Sequence, residues 1–377
     1  MMLMLTETSA RRVRPRPAVR SWSAIALLTL LCLTLGGCGT LYVAQAAGGE
    51  LGVLREREPI DKVLADPGTS PELRAHLEQV RAARDFATAE LGLPDNASYR
   101  TYADIKRSYV VWNVVAAPEF SVVPHHWCFP VVGCVAYRGY FHEARAREFA
   151  AGLAVQGYDV AVEGVPAYST LGRFADPVLS SMLRYGDDEL AATIFHELAH
   201  QLLYVRDDSS FNEAFATTVE EVGLERWLAQ RGEGARIAAY RAELAQQEQL
   251  LQMFARTRAS LSALYAQHIP KDEMRARKAA SFQELGSEIQ AQERRDASHF
   301  TLYDEWIAAG LNNAHLASIA TYYDCVPGFR RLLRQQDDDL PRFYAAVREL
   351  ARQPRVARHA QLCSRAPGSA DEESAAD

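Results

Sequence analysis

Residues 193–201 read TIFHELAHQ and residues 210–220 read SFNEAFATTVE. The first stretch contains His196-Glu197-x-x-His200. On an α-helix, positions i and i+4 lie about one turn apart on one face, so both imidazoles can reach a single cation while Glu197 points at a cation-bound water. This geometry requires a helix. Ile194, Leu198 and Leu202 recur at i+4 and supply an apolar stripe to bury behind those groups. Asp187 and Asp188 stand where an N-terminal cap and the positive end of the helix dipole both favour acids. In the second stretch Phe211, Phe215, Val219 and Val222 form a core-facing stripe, with Glu213 off it. A carboxylate from a second helix completes a set of two His and one Glu, which in catalytic Zn²⁺ sites leaves the fourth position for water.

Working outward, residues 50–93 are helical in composition and read as two helices, with Pro59 and Pro71 at first turns and Gly92 near an end. Between residues 99 and 166 the character changes to β-branched and aromatic runs, SYVVWNVVAAPEF, VVGCVAYRGYF and YDVAVEGVPAY, punctuated by Pro and Gly. These predict a mixed sheet, with residues 143–156 as a helix between strands. Beyond Asp187 the text is helical again: residues 190–205, 211–231, a long charge-alternating stretch over 235–298 that reads as a solvated helical hairpin, then shorter helices to about residue 352. The fold class is therefore α+β, with a sheet-bearing part at 38–186 and a mainly helical part at 187–364. The polar tail, residues 365–377, is expected to be disordered.

The N-terminus is a different object. Arg11, Arg12, Arg14, Arg16 and Arg20 are opposed only by Glu7, and residues 24–35 (AIALLTLLCLTL) then run twelve positions without a charge. That is a secretory signal, too short for a spanning helix. Leu35-Gly36-Gly37-Cys38 resembles the lipobox of bacterial lipoproteins, which implies lipidation of Cys38, loss of residues 1–37 and a membrane-anchored chain in the cell envelope. Gly39 after the cysteine, by the same resemblance, favours the periplasmic side of the outer membrane. Removing the leader takes five Arg and one Glu away, so the net charge moves from −7 to −11. An acidic body of otherwise ordinary composition argues against nucleic-acid binding.

Apart from Cys32 and Cys38, four cysteines remain, and export makes pairing their default state. Cys128 and Cys134 flank a turn-prone FPVVG and predict a local disulfide; a second metal site with His125 and His126 fits the spacing poorly. For Cys325 and Cys363 the spacing leaves pairing open.

The two motifs together resemble the gluzincin peptidases, in which H-E-x-x-H is followed by a helix bearing N-E-x-F-A, matched here by residues 212–216. That resemblance carries the third-ligand role onto Glu213. Only twelve residues separate His200 from Glu213, fewer than in the common aminopeptidase gluzincins, so residues 206–209 must form a tight loop. A closer resemblance is to the bacterial predicted-aminopeptidase family of exported, zinc-motif proteins. It rests on residues 127–141, 167–177, 194–201, 211–220 and 311–322. It implies a zincin-like metallopeptidase that hydrolyses peptide substrates, with His196, His200 and Glu213 on zinc and Glu197 as general base. Tyr322 is the candidate for steadying the oxyanion. Glu220, seven residues past Glu213 and on nearly the same face, either orients a ligand histidine or binds a substrate amine. Residues 167–177 are a candidate edge strand for peptide, while Asn312 and Asn313 read as an N-cap. Two other readings share the motif: a zinc endopeptidase or cell-wall peptide amidase, and a non-catalytic zinc-binding scaffold lipoprotein.

Overall fold

The structure, a computed structural model, describes residues 38–129, 132–296 and 301–363. The leader (1–37) and the tail (365–377) lie outside the described residues, and Cys38 is described in backbone only. Two compact units result, residues 1–48 and 49–377. In chain order the elements are helix α1 (Cys38–Arg55), strand β1 (Arg57–Pro59), α2 (Ile60–Ala65), α3 (Pro71–Ala89), β2 (Thr101–Ala103), β3 (Val111–Pro118), β4 (Trp127–Phe129), β5 (Gly133–Val135), β6 (Arg138–Tyr140), α4 (Glu143–Val155), β7 (Tyr158–Val165) and β8 (Val178–Leu179). A 3-10 turn (Met182–Tyr185) then leads into α5 (Asp187–Leu202), α6 (Ser209–Gln230), α7 (Gly234–Tyr265), α8 (Lys271–Asp296), α9 (Thr301–Ala309), α10 (Asn313–Tyr323), α11 (Val326–Gln335), α12 (Leu340–Ala351) and α13 (Arg355–Leu362). The class is α+β: among the described residues every strand precedes α5, interleaved with α1–α4, and the chain beyond it is helical.

The expected single mixed sheet is instead three small ones among the described residues: β1-β2-β8, β6-β3-β7 and the β4-β5 hairpin. Of these, only β3 and β7 are long, pairing antiparallel from Val111↔Val165 to Pro118↔Tyr158. The run predicted over VVGCVAYRGYF breaks into β5 and β6, because the Cys128–Cys134 bridge folds β4 tightly onto β5. That bridge also takes up the two thiols that a second metal site would have needed. Residues 167–177 form no strand. Leu171 and Gly172 take φ 57° and 73°, a left-handed turn that interrupts any ladder. Two strands flank this segment as sheet edges: β7, which pairs with β3 on one side only, and the two-residue β8, which pairs with β2 only.

Helices α5 and α6 lie at the centre of the core. Ile194, Phe195, Leu198, Phe211, Phe215 and Val219 are fully buried, the Phe86 ring meets Phe195 at 5.7 Å, and Phe215 stacks on Phe343 at 6.0 Å. Of the predicted stripe on α6, Phe211, Phe215 and Val219 are buried and Val222 is partly buried, and Glu213 off the stripe is buried as well. Helix α5 is capped by Gly186 (φ 97°) rather than by an acid, since no side chain caps it. Asp187, Asp188 and Glu189 fill its first turn, where the dipole favours them. Pro59 precedes α2 as its cap residue, whereas Pro71 does open α3.

The α7–α8 hairpin forms as predicted in outline but is not simply solvated. Leu250, Phe254, Leu261, Phe282, Leu285 and Ile289 join Tyr303 and Trp306 in a second apolar cluster. These positions follow helical spacing but are diluted among charges, which hides them from composition.

A second disulfide, Cys325–Cys363, pins α13 against α11. One turn on, Gly328 sits so close to α13 that a Cβ there would overlap the Leu362 carbonyl. Gly328→Ala is therefore expected to destabilise the protein by about 3 kcal/mol, the upper end for overpacking, because backbone rather than a side-chain tip must move. A urea midpoint equal to wild type would contradict this contact.

Candidate metal centre

Helix α5 presents His196, Glu197 and His200, and α6 presents Glu213 and Glu220. The loop between them, residues 203–208, is held from every side. Asn212 accepts from the Val205 amide at 2.7 Å and donates back to the Val205 carbonyl at 2.7 Å. Tyr204 donates its hydroxyl to the Val132 carbonyl at 3.1 Å, and the Cys134 amide donates to Asp207 at 2.6 Å, so the disulfide hairpin braces the loop. Asp207 turns the chain at φ 65°, and Asp208 caps α6 by accepting from the Phe211 amide at 3.3 Å. The Asn of N-E-A-F-A thus acts structurally, closing the loop and thereby setting the position of Glu213.

The result is convergence. His196 Nε2 and His200 Nε2 lie 3.1 Å apart, and Glu213 Oε2 lies 3.4 Å from each. Among the described residues these three are the only group of His, Cys, Asp and Glu able to hold a metal ion. Two ring nitrogens facing a carboxylate oxygen form a donor set that a cation completes. Burial by itself would raise the Glu213 pKa, but the neighbouring His200 and His196 outweigh it and hold the carboxyl low, at about 2. Burial likewise opposes charge on His196, yet Glu213 and Glu220 together keep its pKa well above the ordinary histidine value. The site is built to concentrate positive charge.

Glu220 accepts from His196 Nδ1 at 2.8 Å, which leaves Nε2 as the face turned toward Glu213 and His200. His200 Nδ1 is buried with no hydrogen-bond partner among the described residues. Glu197 is 8% exposed. Its pKa is raised, chiefly by burial, with His196 and His200 pulling the other way and Glu213 and Asp176 adding to the rise.

Tyr322, on α10, interacts electrostatically with Glu213 and Glu197. Burial raises its pKa well above the ordinary tyrosine value, and Glu213, Tyr137, Glu163 and Glu197 add to the rise. Asn312 caps α10 in a capping box with His315, and its amide also donates to the Val160 carbonyl at 3.0 Å; Asn313 packs against residues 118 and 119. Tyr265 donates to Asn313 at 2.9 Å and Tyr303 is buried in the α7–α8 cluster, so these two tyrosines serve packing.

Three participants were missed in the sequence, and only Gln201 offered a hint there. Asp176 is buried and accepts from the Thr170 amide at 3.0 Å and hydroxyl at 2.6 Å. Tyr99, at φ 62°, donates its amide to the Asp176 carbonyl at 2.6 Å and interacts electrostatically with Glu197. Gln201, directly after the second histidine, accepts from Asn96 at 2.7 Å and donates to Ser98 at 3.3 Å and to Asp176 at 3.4 Å. A glutamine fixed beside H-E-x-x-H was the available hint that α5 is moored to both loops.

In this α+β chain the two central helices converge two histidines and a glutamate on a possible metal-binding triad, with a buried acid beside it. This chain is a member of the family described as "Putative aminopeptidase", which matches residues 41–362, and membership supports a peptidase. No curated protein and no solved structure matches it.

Proposed function

We propose that the protein is a zinc-dependent aminopeptidase of zincin-like fold, tethered to the bacterial envelope by lipid at Cys38. The observation that carries this reading is the donor triangle. A tetrahedral ion bound at about 2.0–2.1 Å requires donors about 3.3–3.4 Å apart, and His196, His200 and Glu213 present theirs at 3.1, 3.4 and 3.4 Å. Nitrogen and carboxylate donors suit zinc.

When bound, zinc supplies a Lewis acid for the scissile carbonyl and lowers the pKa of a water. Glu197 is the proton carrier: it takes a proton at its carboxylate and returns it to the leaving amine. Glu220 holds the His196 ring in the tautomer whose Nε2 lone pair is free to ligate. Tyr322, protonated because burial holds its pKa high, is a donor for the developing oxyanion. Peptide runs along the open edge of β7. There the Val165 carbonyl turns inward to the Val110 amide while the Val160 carbonyl turns outward to Asn312, so alternation leaves Val162 and Gly164 facing out.

The test is an assay of the purified chain on amino-acid amides and on N-blocked peptides, before and after chelation. We expect turnover of unblocked amides only, abolished by chelator and restored by zinc. Cleavage of blocked peptides would favour an endopeptidase or amidase instead, and bound zinc without turnover a scaffold.

A further inference from the structure

Glu163 lies in the middle of β7, opposite Asn113 on β3. Strand alternation gives it the same face as Asp159 and Ala161, the face covered by α10, where Ala161 packs on Ala314 and Ala317. Among the described residues the carboxylate has one hydrogen bond: Ser318 donates to Oε2 at 3.0 Å. The other oxygen, Oε1, is buried and has no hydrogen-bond partner among the described residues. Nor, among them, does any lysine or arginine pair with Glu163. A carboxylate buried half-satisfied costs stability unless a ligand completes it. Burial pushes its carboxyl up to about 7, the state of an acid that lacks a cation.

Its position relative to the metal centre is informative. Through Ser318, Glu163 is tied to α10 one turn before Tyr322, on the same helix face, and Tyr322 interacts electrostatically with Glu163, Glu213 and Glu197 alike. In a peptide, the free α-amine is two bonds from the scissile carbonyl carbon, which puts its receptor in the shell next to the metal. The competing acids are already engaged: Glu220 by His196 at 2.8 Å, and Asp176 by Thr170 and Gln201.

We infer that Glu163 receives the free α-ammonium group of the substrate through Oε1 and so restricts the cleft to unblocked N-termini; this rests on the aminopeptidase reading above. An ammonium group supplies both the donors and the charge that Oε1 lacks, and an acetylated amine carries no charge.

The experiment is calorimetric binding of leucinol and N-acetyl-leucinol, which lack the amide that the enzyme would cleave, to the metal-loaded protein, wild type and Glu163→Gln, which keeps the shape and drops the charge. Wild type should prefer the free amine by about tenfold to hundredfold, the range for a charge-assisted hydrogen bond. Glu163→Gln should lose that preference with its melting temperature and metal content retained, and Glu163→Asp should recover part of it. Should the glutamine variant fold poorly, Ser318→Ala, which spares the charge, must keep the preference. A wild type without preference, or a preference that survives Glu163→Gln, overturns the inference. If preference depends on Glu163 but no peptide is hydrolysed, the peptidase reading falls and the amine site stands. If peptides are hydrolysed and the preference is indifferent to Glu163, the amine site falls and the peptidase reading stands.

Discussion

Glu197→Gln is expected to lower kcat on an aminoacyl amide by about 10³–10⁴-fold while the protein retains its metal. The substitution keeps the volume of a side chain that is almost fully buried between α5 and its surroundings, so packing should be unchanged. It touches none of the donor atoms, which belong to His196, His200 and Glu213. What it removes is the only buried carboxylate on α5 that can shuttle a proton beside the triad, since an amide nitrogen cannot accept one. Metal content by elemental analysis and steady-state kinetics together decide it. Turnover within tenfold of wild type would sink the general-base role, and loss of metal would mean that Glu197 helps to hold the site rather than to use it.

How much of this was legible in the sequence depends on distance along the chain. His196, Glu197 and His200 lie within one turn, so helical periodicity alone brings them together. Glu213 is thirteen positions beyond His200, and its convergence needs a loop whose closure is local, through Asn212 and Val205. Both are short-range facts, written in spacing and residue type. Glu220 is one step harder: the spacing allowed both a histidine partner and a substrate amine, and the 2.8 Å contact to His196 Nδ1 is a property of how two helices pack. Glu163 was invisible because its partner, Ser318, lies 155 positions away and the strand around it reads as ordinary alternation. Residues 167–177 misled for the opposite reason. Tyr168, Ser169 and Thr170 look strand-like, but Thr170 spends its amide and hydroxyl on Asp176 and turns the chain back. Local hydrogen bonds of that kind compete with a ladder and leave no periodic trace. The Cys325–Cys363 bridge could not be read either, since it depends on α13 folding back onto α11.

The largest stability effect is expected at Asp208, where removal should cost about 3–5 kcal/mol, the range for stripping one partner from a buried ion pair. Its side chain is completely buried and accepts from Arg358 Nε at 2.6 Å and His359 Nε2 at 2.7 Å, both on α13. Asp208→Ala leaves Arg358, itself 6% exposed, without its counter-charge and takes away the cap of α6. The damage should reach the metal centre as well, because the same loop fixes the start of the helix bearing Glu213. The pH dependence has a definite sign. Burial raises the Asp208 pKa, but His359 and Arg358 outweigh it and hold the carboxyl below its ordinary value. Its contribution is therefore complete above the unfolded-state pKa of about 3.9 and disappears as pH falls through the lower folded-state value. Urea unfolding of wild type and Asp208→Ala should show a wide gap at pH 7 that narrows below about pH 4 as the wild-type carboxylate takes up its proton. A gap that stays constant across that range would mean that the loss comes from packing and the missing cap, not from the buried charge that ties α13 to the metal-bearing helix.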